Sequence, residues 1–254
     1  MLAPLALAAV WVGGPALAAL VLVAAAGMGW EWARLTGCGG GALGILIVAG
    51  TVVPTLAMAL AQGWEAAALV VLAAAAIWLA ARRANRPDAA WAGLGAAWIA
   101  LPCVAVLAVA SDRDTGRAAI LWLFATVWAT DTGAYAAGRI LGGPRLAPRI
   151  SPNKTWSGFA GGLIAAVFVA WAAARLTGGE TSALVPAGVA MSLASQIGDL
   201  AESFAKRRFG VKDTGYVIPG HGGLLDRLDG MLTAATLQWL MTLASGASPL
   251  LWRV

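Results

Sequence analysis

Charged residues are scarce in this sequence. Asp, Glu, Lys and Arg make up 11% of the 254 residues, whereas a soluble domain carries about 25%. Histidine occurs once, and the two cysteines, Cys38 and Cys103, stand in apolar surroundings, which excludes a disulfide framework or a zinc site. No basic stretch or cleavage site marks the N-terminus, so we predict no signal peptide. The low charge excludes an ordinary water-soluble domain.

Apolar residues are abundant instead, at 60% of the chain, with a mean hydropathy of +0.79. They form long runs, and a transmembrane helix needs ~20 consecutive apolar residues. No segment shows the apolar/polar alternation of a membrane β-barrel, and helices satisfy their own backbone hydrogen bonds in lipid. We therefore predict an all-α, polytopic integral membrane protein with about nine transmembrane helices, or eight if the first is incomplete.

The polar breaks define the candidate spans. They are residues 2–12, 15–30, 41–61, 66–81, 89–110, 117–138, 157–174, 182–199 and 225–250. The first is short, so one bent helix over residues 2–30 is the alternative. We interpret 1–254 as a single membrane-embedded catalytic domain, in which 1–110 supply N-terminal helices and 117–254 supply catalytic helices and cytoplasmic loops.

The distribution of basic residues predicts the orientation. One set of loops carries thirteen of the 17 lysines and arginines, and the other carries only Arg113, Arg117, Arg175 and Arg253. Cytoplasmic loops of membrane proteins are enriched in basic residues, so the richer set is predicted to face the cytoplasm. This bias also accounts for the basic pI, and we expect no nucleic-acid partner. Tryptophans near span ends, such as Trp30, Trp32 and Trp64, suit interfacial anchoring, and we expect Glu31 to pack at the interface beside Trp32.

The segment from Asp199 to Asp229 concentrates five acidic residues, five basic residues and His221. On a helix, Asp199, Ser203 and Lys206 share one stripe. A Gly/Pro loop follows Gly210. The next helix then places Asp226 and Asp229 one turn apart.

These residue types suit a metal-polyphosphate site. Carboxylates are the protein ligands that Mg²⁺ prefers, and lysines and arginines bind phosphate oxygens. The bases here are Lys206, Arg207, Arg208 and Lys212. A solvated cytoplasmic loop would explain the bases but not the aspartates or the glycines. His221 is predicted to contact substrate, with proton transfer and a plain loop role as alternatives.

A second polar cluster occupies residues 131–162. Asp131 lies inside an apolar span, where an ionisable residue is costly and indicates function. Tyr135 and Gly138 project to nearly the same face, and the loop residues Ser151, Asn153, Lys154 and Thr155 could hold another phosphate or a lipid headgroup. The alternative is that Asp131 pairs with Arg139 in a merely basic loop.

Both clusters resemble bacterial phosphatidate cytidylyltransferases, also called CDP-diacylglycerol synthases. The matching positions are Asp131, Gly133, Tyr135, Gly138, Arg139, Ser151, Pro152, Lys154, Thr155, Trp156 and Gly158, then Ser203, Lys206, Arg207, Lys212, Asp213, Gly215, Pro219, His221, Gly222, Gly223, Asp226, Arg227 and Asp229, with Glu31 and Trp32 near the N-terminus. The sequence departs from the family at Thr132 and Thr214, where serine is frequent, and at Ala205. It also has Ser157 where glutamate is usual, and it lacks a basic residue near the N-terminus.

The resemblance implies that CTP and membrane phosphatidate give CDP-diacylglycerol and pyrophosphate, with Mg²⁺ as cofactor and room for a second cation. It implies Asp199 and Asp226 as first metal ligands and Asp229 as the next. Ser203, Lys206, Arg207, Lys212, Asp213 and His221 are the expected catalytic residues. Asp131, Tyr135, Arg139, Ser151, Asn153, Lys154, Thr155 and Arg227 are the expected substrate-binding residues. The site would face the cytoplasm from the bacterial inner membrane, and a second copy of the chain is a further expected partner.

Two other functions compete with this prediction. A cation-coupled transporter would suit Asp131, although no related halves are visible in the sequence. Another CTP-using membrane enzyme, such as a polyprenol kinase or an isoprenoid-lipid cytidylyltransferase, is a nearer alternative.

Overall fold

A computed structural model describes residues 2–61, 63–215 and 222–251 of the chain. Within those ranges the structure contains nine α-helices, a two-stranded sheet and a final 3-10 helix at Pro249–Leu251. The helices are α1 (Leu2–Val12), α2 (Gly14–Leu35), α3 (Gly41–Ala61), α4 (Glu65–Arg83), α5 (Ala89–Ala110), α6 (Gly116–Ile140), α7 (Trp156–Thr177), α8 (Thr181–Arg208) and α9 (Leu225–Ser245). The predicted all-α fold is confirmed.

Six of the described helices, α2–α5, α7 and α8, are long and apolar enough to cross a membrane, so the chain is a polytopic integral membrane protein. The predicted spans 117–138 and 225–250 form α6 and α9, which are of spanning length but more polar. Their polar residues include Asp131 in α6 and Asp226 and Asp229 in α9.

The single bent helix over residues 2–30 is not observed. Gly13 adopts a φ of 73°, in the left-handed region that favours glycine, and its backbone N–H closes α1 on Ala9. Pro15 then stands in the first turn of α2, where a proline costs no helical hydrogen bond. With 11 residues, α1 is about 16 Å long, short of the ~30 Å hydrocarbon core.

The chain divides into two compact units, whose boundary falls within α8 and α9. The first comprises Met1–Ser111 and Arg208–Leu228. In this unit α2 packs on α3 and α5, and α4 packs on α5 and α3. The described residues of 208–228, which we assigned from sequence to the catalytic part, thus belong to the same unit as the first five helices.

The second unit comprises Asp112–Arg207 and Asp229–Val254. Here α6 packs along α7, and small residues set the contact, as the glycine content predicts. A Cβ at Gly133 would lie 2.7 Å from both the Gly161 carbonyl oxygen and the Ala165 Cβ. The close approach of these two helices therefore depends on glycine.

The polar segment predicted as a loop at 139–156 contains a β-hairpin. Strand β1 (Arg145–Ala147) pairs antiparallel with β2 (Ser151–Thr155), with Arg145 opposite Thr155 and Ala147 opposite Ser151. The strands are short and polar, so they lack the apolar alternation by which a strand is predicted from sequence. The hairpin ends directly at the first residue of α7.

Candidate active site

A cavity of about 680 Å³ opens in the second unit among α6, the hairpin, the start of α7 and α8. Small-molecule sites have volumes of ~300–1,000 Å³. The predicted site residues that line it are Asp131, Tyr135, Arg139, Ser151, Asn153, Lys154, Thr155 and Asp199. The structure thus brings together seven of the predicted substrate-binding residues and one predicted metal ligand.

Helix α6 supplies one wall of this cavity. Asp131, Tyr135 and Arg139 follow at intervals of four residues, so they lie on one face of the helix. The Arg139 guanidinium donates a hydrogen bond to the Tyr135 hydroxyl at 3.2 Å. Gly138 leaves room for the end of the hairpin, because a Cβ there would approach the Thr155 hydroxyl to 3.0 Å. Arg139 is therefore held towards Tyr135 rather than paired with Asp131.

The hairpin supplies the opposite wall and positions Lys154. Thr155 ends β2 as the N-cap of α7, and its hydroxyl accepts the Gly158 N–H at 3.0 Å. This cap anchors the strand that carries Lys154, whose amine forms an ion pair with the Asp199 carboxylate on α8. Cationic and acidic groups thus lie together in the cavity. A metal-bound phosphate chain would need the cationic groups for its phosphates and the acidic groups for its metal.

Acidic side chains cluster in the same unit. The Asp229 carboxyl interacts electrostatically with those of Asp199, Glu202 and Asp131. Mutual repulsion of carboxylates favours a bound cation, and carboxylate oxygens suit Mg²⁺, so the donor set fits the expected metal. In the described part of the chain, however, no three His, Cys, Asp or Glu side chains already stand in a metal-binding arrangement.

Helix α8 carries the next predicted residues. The Ser203 hydroxyl lies 3.5 Å from the Asp199 carboxylate, as their shared stripe predicts. The Lys206 amine instead lies 2.5 Å from the carboxylate of Glu202, which is fully buried. The exposed Arg207 donates to the Ile150 carbonyl at 3.3 Å, at the tip of the hairpin. Lys206 therefore neutralises a buried acid that the sequence analysis did not single out.

The first unit contains the remaining described residues of the charged segment. One oxygen of Asp226, Oδ2, accepts hydrogen bonds from the Gly223 N–H at 2.8 Å and from the N–H and hydroxyl of Thr214, each at 3.0 Å. Lys212, Asp213 and Arg227 are exposed. The predictions for His221 and Pro219 fall outside the described residues.

The predicted interfacial role of Glu31 and Trp32 is wrong. Both side chains are 0% exposed, whereas Trp30 and Trp64, also predicted at span ends, are 42% and 76% exposed. The Trp32 indole donates to the Trp91 carbonyl at 2.9 Å. The Glu31 carboxylate accepts the backbone N–H groups of Leu224 and Leu225, both at 2.8 Å. Trp32 packs in the core of the first unit, and Glu31 holds the start of α9.

Sequence reasoning also passed over Arg145 and Gln196, which line the cavity. Gln196 donates from its amide to the Phe159 carbonyl at 3.3 Å. Polarity inside an apolar span was the available signal for Gln196, as it was for Asp131. The signal for Glu31 was the same, but its place near a span end suggested contact with water instead.

Comparison with known proteins identifies the family of this chain. The sequence model of the cytidylyltransferase family matches residues 1–244. Phosphatidate cytidylyltransferases from Brucella suis biovar 1 (strain 1330) and Brucella abortus (strain 2308) are each 39% identical over 232 residues, which cover 91% of this chain and 85% of theirs. The phosphatidate cytidylyltransferase of Staphylococcus aureus (strain COL) is 44% identical over 135 residues, 52% of each chain. With a family match over residues 1–244 and relatives 39% identical over 91% of its length, the chain belongs to the cytidylyltransferase family.

Proposed function

We propose that this protein transfers the cytidylyl group of CTP to phosphatidate, producing CDP-diacylglycerol and pyrophosphate. Membership of the family and the names of its relatives support the reaction. The observation that carries the proposal is the cavity of the second unit, where Lys154, Arg139 and Arg145 stand beside Asp131 and Asp199. A nucleoside triphosphate needs cations for its phosphates, and its metal needs carboxylates.

The reaction requires no protein nucleophile. A phosphate oxygen of phosphatidate attacks the α-phosphorus of CTP, forming one P–O bond while the bond to the bridging oxygen of the β-phosphate breaks and pyrophosphate leaves. The phosphate of the lipid is already anionic, so no group has to remove a proton from it. Catalysis then consists of holding two polyanions in line and neutralising their charge.

The candidate site residues divide this work. We assign the phosphate contacts to Lys154, Arg139 and Asn153, and further phosphate contacts to Ser203, Lys206, Arg207 and Lys212. The other expected contacts, at Tyr135, Ser151, Thr155, Asp213, His221 and Arg227, remain predictions from the family pattern. Asn153 is exposed and Lys154 partly buried, so both hairpin side chains can meet a ligand entering the cavity.

We also propose that the enzyme depends on Mg²⁺, with room for a second cation. Asp199 and Asp226 would hold the metal, with Asp229 as the next ligand. When bound, the metal would neutralise phosphate charge that develops in the transition state. The mutual electrostatic interaction of Asp229, Asp199 and Asp131 supports a cation in this region.

The charge distribution supports a proposal for the orientation of the protein. We propose that it resides in the bacterial inner membrane with its active site facing the cytoplasm, because thirteen of its 17 basic residues fall on one set of loops. A homodimer is the assembly we propose, to be tested by the mass of the detergent-solubilised particle.

One isotope experiment tests the reaction against its alternatives. The purified protein is given phosphatidate and CTP labelled at either the α- or the γ-phosphate. We expect the α-label to enter the lipid and the γ-label to leave as pyrophosphate. Transfer of the γ-label to lipid would indicate a kinase and contradict the proposal. If the α-label entered lipid only when an isoprenoid phosphate replaced phosphatidate, the lipid substrate would be an isoprenoid phosphate and not phosphatidate.

A further inference from the structure

Glu31 connects α2 to the start of α9. This side chain lies in the last two turns of α2 and is wholly buried. Its Oε1 accepts the Leu224 N–H and its Oε2 accepts the Leu225 N–H, both at 2.8 Å. A helix N-terminus presents backbone N–H groups that have no partner within the helix, and its dipole favours a negative charge. Glu31 therefore caps α9 from a helix 193 residues earlier in the chain.

Thr214 connects this cap to Asp226. Its hydroxyl lies 3.3 Å from Glu31 Oε2 and 3.0 Å from Asp226 Oδ2, and its backbone N–H donates to the same Asp226 oxygen at 3.0 Å. Both carboxylates thus contact Thr214, Glu31 through its hydroxyl and Asp226 through its hydroxyl and its backbone N–H. Movement of Glu31 would release Thr214 and, through it, one of the hydrogen bonds that orient Asp226.

Two glycines allow the carboxylates to come this close. A Cβ at Gly223 would lie 2.8 Å from Glu31 Oε2 and 2.9 Å from Asp226 Oδ2, and a Cβ at Gly215 would lie 2.8 Å from Glu31 Oε1. Real Cβ atoms essentially never approach other atoms to such distances. A side chain at Gly215 would displace the Glu31 carboxylate, and one at Gly223 would displace both carboxylates, so these two glycines accommodate the cluster.

We propose that Glu31 is a positioning residue for the transfer reaction, holding Thr214 and the first turn of α9 so that Asp226 keeps the orientation needed to act. The inference rests on the proposed function, since Asp226 acts there as a metal ligand. Residues that orient metal ligands typically contribute about 10- to 100-fold to metal affinity or activity.

Glu31→Gln is the primary test, because glutamine keeps the size of the side chain but replaces one acceptor oxygen with an N–H₂ donor. The glutamine can then accept only one of the two backbone N–H groups, those of Leu224 and Leu225, and the second N–H faces another donor. We expect amide hydrogen exchange at Leu224 and Leu225 to accelerate in the substrate-free protein. We also expect Mn²⁺ affinity, followed by electron paramagnetic resonance, to fall about 10-fold or more, and kcat to fall by up to about 100-fold with little change in KM for phosphatidate.

Thr51→Val is the matched control for lost stability. Thr51 is also buried in the first unit and donates to the Ala25 carbonyl of α2 at 2.9 Å, but it belongs to α3 and lies outside the Glu31 cluster. We expect this variant to melt earlier while exchange at Leu224 and Leu225, Mn²⁺ affinity and kcat remain near wild type. A Glu31→Gln variant that melted earlier but kept wild-type kcat and Mn²⁺ affinity would overturn the inference.

Substitution of Thr214 gives a second route if Glu31→Gln does not fold. Thr214→Val removes the bridging hydroxyl and keeps the backbone donor, so kcat and Mn²⁺ affinity should fall, whereas Thr214→Ser should restore both. Equal values for the valine and serine variants would overturn the inference. The exchange and Mn²⁺ measurements need no turnover, so absence of CDP-diacylglycerol formation by the wild-type protein would reject the proposed function without deciding the role of Glu31.

Discussion

Lys206 and Arg208 show how two bases on one helix end acquire different roles. Lys206 lies 2.5 Å from the buried carboxylate of Glu202, whereas Arg208 lies 2.9 Å from Asp88 with its side chain 52% exposed. Breaking a buried ion pair is costly because an uncompensated charge stays behind, and an exposed pair contributes little. The sequence shows both residues simply as basic, but loss of Lys206 should cost more stability than loss of Arg208.

Lys206→Met should reduce both stability and activity. We expect a stability loss of about 3–5 kcal/mol, as for a broken buried pair, and a fall in kcat/KM of about 10²–10³ if the amine also stabilises phosphate. The measurements are thermal melting and steady-state kinetics in one detergent. The double variant Glu202→Gln/Lys206→Met separates the two effects, since it should recover stability but not kcat/KM.

Arg208→Ala is the control for this pair of variants. It should lower the free energy of unfolding by ~1 kcal/mol or less. Recovery of wild-type kcat/KM in the double variant would show that Lys206 serves only to neutralise Glu202. Equal losses in the Lys206 and Arg208 variants would mean that the bases act as one undifferentiated positive patch.

Asp226→Asn should abolish most activity while the protein still inserts and folds. Three hydrogen bonds, from Thr214 and Gly223, reach Oδ2 of this side chain, so an amide oxygen at that position can keep these three while the ligand charge is lost. Turnover and thermal melting are measured at ordinary and raised Mg²⁺. Asp114→Asn, an exposed substitution in the loop after α5, is the control. Near-normal turnover of Asp226→Asn at ordinary Mg²⁺ would mean that Asp226 is not a ligand.

The helices α6 and α7 form the element pair on which the cavity depends. Both contribute lining residues, and their close packing relies on glycines at the contact. Membrane helices approach closely where small residues meet, because side-chain packing replaces the hydrophobic effect as the source of association. Because the two helices lie close together, the short hairpin that connects them brings Lys154 and Thr155 into the same cavity as Asp131.

Gly133→Ala should loosen this pair. The added Cβ would meet the Gly161 carbonyl oxygen and the Ala165 Cβ at 2.7 Å, and overpacking of this kind costs about 1–3 kcal/mol. Thermal melting should shift down, with a parallel loss of CTP binding. Gly40→Ala, where no atom lies within 4 Å of the new Cβ, should leave both unchanged. Unchanged melting for Gly133→Ala would contradict the packing argument.

The whole chain combines an apolar helical scaffold with two polar segments, the hairpin region and residues 208–228. The membrane requires the scaffold to satisfy its backbone within helices, and only the segments outside the bilayer can carry dense charge at low cost. The family reaction joins a water-soluble nucleotide to a lipid, and the basic residues of each segment suit the phosphate groups of these substrates. The orientation of those segments is the property that a labelling experiment can decide.

Single cysteines at Lys212 and Thr181, in a background with Cys38→Ala and Cys103→Ala, should label from opposite faces of sealed vesicles. Both positions are exposed, and both native cysteines are buried and unbonded to each other. A membrane-impermeant maleimide should reach Lys212→Cys only from the cytoplasmic face, because the basic loops are predicted there. Labelling of both positions from one face would disprove the span assignment between residues 157 and 199.

Local chemistry made much of this protein predictable from its sequence. The bounds of α3 and α5 agree with the prediction to the residue, because apolar length is a local property that a transmembrane helix requires. Asp131 and Lys154 were likewise identified from polarity and motif, and the cavity brings them together.

Tertiary structure decided which partner each buried charge has. Glu31 was placed at the interface, yet its hydrogen-bond donors are Leu224 and Leu225, more than 190 residues later, and Lys206 is directed to Glu202. A sequence shows which groups are charged, but burial and hydrogen-bond partners arise only when distant segments pack. A buried carboxylate is tolerated only where donors converge on it, and that convergence is a property of the folded chain.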